Sequence, residues 1–121
     1  MPLLARSCAA AVLCLSGLLP AHAQTAKIVG VGVVACSVFT REVAETPSVE
    51  RDYLTWAQGF MSGALMRAPM GVDEGIDLLP STFPLQAQAN FLRAFCKDHP
   101  DQDYVDAVHA LYRHLRPKST L

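Results

Sequence analysis

Cysteine thiols, imidazoles, thioethers and clustered carboxylates are the groups in this chain able to do chemistry. Cys96-Lys-Asp-His99 sets a thiol near an imidazole, as a metal pair or an activated nucleophile would require. A zinc site needs four ligands and a catalytic thiol must be free as the thiolate, so this pair alone supports neither. His109 and His114 do not share a helical face and add no second ligand pair. Met61, Met66 and Met70 are a thioether set of the kind that selects Cu(I), although methionine more often fills a core. Asp98, Asp101, Asp103 and Asp106 crowd one helix start, where complementing the helix dipole is a simpler account than acid–base work.

Two glycine motifs complete the set. Gly30-Val-Gly32-Val-Val-Ala35 has the form of a dinucleotide loop, but no crossover helix and second strand follow it. Gly59-Phe-Met-Ser62-Gly63 carries its serine one place late for a nucleophile elbow. Gly59 and Gly63 instead clear one helix face for close backbone approach, and packing within the chain is favoured over a binding cleft. No catalytic constellation emerges, so the chain reads as a non-enzyme with no cofactor and no bound metal.

Which elements position these residues depends first on which part of the 121-residue chain folds. Met1 to Ala23 has a positive start at Arg6, an uncharged apolar run from Ala9 to Leu19, a break at Pro20 and the small-x-small site Ala21-His22-Ala23. That is the three-part pattern of a cleaved secretory signal peptide, residues 1–23. The apolar run falls short of the roughly 20 residues a membrane span needs, so no stable membrane anchor is expected after cleavage. The expected address is the periplasm, and residues 24–121 form one helical domain. Two of the four cysteines leave with the signal. Cys36 and Cys96 remain, and an even pair in an exported chain reads as one disulfide. The whole sequence is 51% hydrophobic and 17% charged, with net charge −1, which argues against disorder and against nucleic-acid binding.

Along the mature chain, Ala26 to Phe39 is the only β-branched-rich stretch. It reads either as an extended start passing into a helix at about Cys36–Glu45 or as an apolar arm. Thr46-Pro47-Ser48 is a break with Ser48 as N-cap. A second helix then runs from about Val49 to Arg67. Tyr53, Trp56, Ala57, Phe60 and Ala64 are its apolar stripe, widened by Leu54, Met61 and Leu65. Met70 to Pro84 is an irregular connection with a short turn at Asp73–Leu79. Pro84 opens a third helix, about Leu85–Asp98, whose apolar positions are Leu85, Phe91, Leu92, Phe95 and Cys96. A fourth spans about Asp101–Arg116 and buries Tyr104, Val105, Val108, Leu111, Tyr112 and Leu115. The fold class is all-α, a small bundle of three to four helices with one disulfide.

The order of these features resembles the HdeA-type periplasmic acid-stress chaperone family over about Cys36 to Arg116. The likeness is carried by Cys36 in the opening helix, by Tyr53-Leu-Thr-Trp56-Ala-Gln-Gly59-Phe60 in the middle helix and by Phe95-Cys96 closing the next. It implies a small, often dimeric domain whose Cys36–Cys96 bridge joins two helices and whose fold loosens in acid to hold unfolded clients. A second resemblance, through Phe91-Leu92, His99-Pro100, Ala107 and Leu111, is to the Rap1a/Tai family of immunity proteins, which implies binding of a secreted effector. A small periplasmic metal or ligand carrier is the third reading. The leading expectation is an exported protein-binding module, stress-chaperone-like, meeting a protein partner or client in a groove beside Trp56, Phe60 and Gly63.

Overall fold

The computed structural model describes residues 27–117, so the expected signal peptide Met1–Ala23 lies outside the described residues. Four helices follow in order: α1 Cys36–Glu45, α2 Glu50–Arg67, α3 Leu85–Asp98 and α4 Tyr104–Leu115. Among the described residues there is no strand, and the sole β-type pairing is an isolated antiparallel bridge between Ala35 and Asp103. The expected all-α bundle is what forms. The bounds expected for α1 and α3 agree with those observed.

Each helix start is satisfied differently. The first N–H groups of a helix lack intrahelical partners. In α1 they are met by backbone alone, Cys36 N–H donating to Gln102 O at 2.7 Å and Ser37 N–H to Pro100 O at 3.0 Å. In α4, Asp103 and Asp106 form a reciprocal capping box, and the Asp103 N–H donates to Asp106 Oδ2 at 3.0 Å. The helix therefore begins at Tyr104 and not at Asp101, because Asp103 is the residue that caps it. Ser48 is not the cap of α2: Pro47–Val49 forms a 3-10 turn that runs straight into the helix, and Val49 holds the cap position without a side-chain bond. Glu50 and Asp52 in the first turn complement the dipole there.

The core is centred on three aromatic rings from three helices. Phe39 lies 4.8 Å from both Tyr53 and Tyr104, and those two tyrosines are 4.9 Å apart. The Phe39–Tyr53 and Tyr53–Tyr104 contacts are edge-on, the arrangement the ring quadrupole favours. Leu92, Leu111, Val108 and Met61 close around them, fully buried. Burying such a side chain stabilises the fold by about 1.5–3 kcal/mol. All six residues expected on the buried stripe of α4 are buried.

On α2 the buried line is Tyr53, Ala57 and Met61, rotated from the expected stripe. Trp56 and Phe60 flank it half-buried, and Ala64 faces solvent. On α3, Leu85 is exposed while the polar Gln88 is fully buried. Cys36 and Cys96 are bonded, with Cα atoms 4.7 Å apart, and tie the start of α1 to the end of α3.

Candidate functional site

The expected groove residues lie on one flank of α2, facing α4. The Trp56 indole stacks nearly parallel on Phe60 at 5.1 Å, and Phe60 in turn meets the His109 ring on α4 at 5.2 Å. Tyr104 lies 6.2 Å from the indole with its ring tilted against it. A 3-10 turn, Val31–Val33, covers the other side of Trp56. Gly32 is buried there, and a Cβ on it would overlap the indole ring. Gly30, at φ 85°, has room for a Cβ only 3.2 Å from the indole nitrogen. The Gly30-Val-Gly32 motif is thus a seat for tryptophan and not a phosphate loop.

Gly63 lies beyond Phe60 on the same helix, and here the structure corrects the sequence reading. Neither Gly59 nor Gly63 has a neighbouring atom within 4 Å of the place a Cβ would occupy. Both face solvent, so they do not serve packing within the chain. A glycine inside a helix costs about 0.5–1 kcal/mol relative to alanine, and no contact among the described residues offsets that at either position.

The remaining chemistry-bearing residues are dispersed. Ser62 donates to Gln58 O at 2.7 Å, a bond to its own helix that leaves the hydroxyl without a base. Cys96 is in the disulfide, and His99 rests on Phe95 at 4.5 Å. His114 packs on Phe83 and Phe91 at 4.7 and 5.1 Å, far along α4 from His109. Met61 is buried whereas Met66 and Met70 are 86% and 98% exposed, which splits the thioether set between core and surface. No group of three His, Cys, Asp or Glu that could hold a metal occurs among the described residues. An open cleft of about 270 Å³ lies on the opposite flank of α2, between Pro47, Leu54, Leu85 and Ala89. Its carboxylate, Glu50, is taken up by Arg93 at 2.6 Å.

Two polar features have no counterpart in the sequence reading. Gln88 donates from its amide to Leu78 O at 2.9 Å and Phe83 O at 3.1 Å, and accepts from Gln58 Nε2 at 2.5 Å. One buried side chain thus fastens the connection 68–84 to α2 and α3. Asp73, at φ 60°, accepts from Arg116 Nε at 2.7 Å and Nη2 at 3.1 Å and from the Tyr112 hydroxyl at 3.0 Å. The Arg116 guanidinium, helped by the Tyr112 hydroxyl, holds the Asp73 carboxyl below its ordinary range against a smaller opposing effect of burial. Tyr53 is pushed well above its ordinary value by burial and by the Glu42 carboxylate, to which it donates at 2.7 Å. Burial likewise raises Tyr104, with Glu50 and Tyr53 adding to it.

These contacts share one chemistry. Side-chain pairs link α1 to α2 (Glu42–Tyr53), α2 to α3 (Glu50–Arg93 and Gln58–Gln88) and the connection to α4 (Asp73 with Tyr112 and Arg116). All but the glutamine pair end on a carboxylate. No family model, curated protein or solved structure matches the chain.

Proposed function

We propose that this chain is an exported, non-catalytic protein-binding module of the acid-stress chaperone type, whose helices loosen at low pH to hold unfolded clients. The observation that supports this reading is that, among the described residues, three of the four side-chain ties between elements, Glu42–Tyr53, Glu50–Arg93 and Asp73 with Tyr112 and Arg116, end on a carboxylate. Charge-assisted hydrogen bonds are roughly twice as strong as neutral ones. Protonation of the Asp73 carboxyl, as pH falls through its lowered value, removes that advantage from its bonds to Arg116 and Tyr112. Loss of the carboxylate charge leaves Arg116 unbalanced, so the net charge becomes more positive. The disulfide and the neutral bonds of Gln88 do not titrate, so α1 stays joined to α3 and the connection to α2 and α3, while the Asp73 part of the connection comes away from α4. Apolar side chains of α2, Trp56 and Phe60 first among them, become the surface that a client meets.

The test is light scattering from an acid-denatured lactate dehydrogenase with and without the protein. Suppression of aggregation at about pH 2.5 and none at pH 7 is expected. Equal behaviour at the two pH values would sink the reading.

A second reading, an immunity-like module that binds one folded effector at neutral pH, is favoured by the open backbone at Gly59 and Gly63 beside Phe60. It predicts that the protein shields cells from an exported toxin encoded beside it and that Gly63→Leu abolishes the protection.

A further inference from the structure

The segment ahead of α1 lies against α2 and α4 and is held in an uneven way. Its C-terminal end is fixed: Val34 O accepts from the Tyr104 N–H at 2.8 Å, and Ala35 is bridged to Asp103. Ahead of Val34 the polar ties are two long turn bonds inside the segment, Val33 N–H to Gly30 O at 3.3 Å and Val34 N–H to Val31 O at 3.2 Å. Among the described residues no side chain bonds to it. What remains is apolar contact, with Gly32 on the indole and Val31 against the core, while Val29 is 82% exposed and Val33 is 48% exposed. A segment of few polar ties and partial burial sits at the low-stability end of local opening.

We infer that residues 27–33 are an intramolecular plug on a peptide-binding seat formed by Trp56, Phe60 and Tyr104. The seat's natural ligand class is an apolar segment with a glycine at its centre, able to take the tight turn that Val31–Val33 takes. The plug itself argues for that chemistry: it is the occupant observed, and it fits because Gly32 lets the backbone lie flat on the indole. A client segment of the same kind competes for the seat, with Val34 and Ala35 as the hinge about which the plug swings away. The seat's role in client binding rests on the protein-binding reading above. The plug's docking does not, and it is tested at neutral pH without a client.

Trp56 is the chain's single tryptophan, so its fluorescence reports the seat directly. In Gly32→Ala the added methyl collides with the ring. The expected result is red-shifted emission and stronger acrylamide quenching with an unchanged far-UV spectrum. A synthetic peptide of residues 27–34 is expected to restore wild-type quenching, and the same peptide with valine at the position of Gly32 is not. Unchanged quenching in the folded variant, or equal rescue by both peptides, overturns the inference. If the variant fails to fold, amide exchange of the wild type decides. Val33 is expected to exchange at least about 100-fold faster than Tyr104, by local opening. Equal protection would make the segment a fixed part of the core and end the proposal.

Discussion

Two irregular segments lie on the outside of the helices, and they are attached by opposite means. The connection 68–84 is bolted by side chains: Gln88 takes two of its carbonyls, and Asp73 is gripped by Arg116 and Tyr112. The N-terminal segment 27–34 has one firm end at Val34 and otherwise rests a glycine on an indole. Polar bolts are directional and costly to break once buried. Apolar contact has no required geometry and gives way to any surface of similar shape. The connection is therefore built to stay, since of its bolts Asp73 alone can be undone by acid and Gln88 cannot, and the N-terminal segment is built to be exchanged.

Breaking the disulfide strikes the firm end of the N-terminal segment, because Cys36 directly follows Ala35. Closing a loop with separation 60 restricts the unfolded chain by about 4 kcal/mol in the entropic account. Cys36→Ser with Cys96→Ser is expected to lose about that much in urea unfolding and to raise Trp56 quenching before the helices melt. Gln88→Leu attacks the other segment. It leaves the carbonyls of Leu78 and Phe83 and the amide of Gln58 without their partner, for a loss of about 2–3 kcal/mol. Limited proteolysis should then cut the connection first while Trp56 emission stays as in the wild type. If the Gln88 variant disturbs Trp56 as much as the disulfide variant does, the two segments are not independent.

Gly63→Ala touches neither segment and calibrates both. Its methyl enters open space on a helix, so thermal unfolding should show a gain of about 0.5–1 kcal/mol. Destabilisation would mean that Gly63 is packed after all. The smallest effect is expected from Asp73→Asn and is read in the pH dependence. The depressed carboxyl contributes stability that is full above the ordinary carboxylate range and is lost as pH falls through its lowered folded value. The asparagine variant should unfold more readily at neutral pH and show a flatter decline below about pH 4. An unaltered slope would remove Asp73 from the acid response.

Much of the helical frame was legible because local signals decide it. The end of Cys36–Glu45 follows from the Thr46-Pro47-Ser48 break, the start of Leu85–Asp98 from Pro84, and the stripe of α4 from its period. The misreadings lie where partners distant in sequence decide. Gln88 reads as a surface residue by type, and its burial depends on carbonyls of a connection whose path no periodicity reveals. The same holds for Asp73, whose partners are on α4. Gly30 and Gly32 stood out as a motif, but only the fold supplies the indole that explains them. Gly59 and Gly63 were expected to meet another part of the chain, and spacing cannot say whether a glycine face meets self or solvent.

The bridge between Cys36 and Cys96 encloses α2 and the whole connection. Exposed Arg67, at the end of α2, is a place for a proteolytic cut. A single nick anywhere in that enclosed stretch adds a water molecule and releases nothing. The two fragments would migrate as one species until a reductant separated them. Damage to this protein would then be invisible on a non-reducing gel, and its effective lifetime would be set by the redox state of its surroundings as much as by its folding.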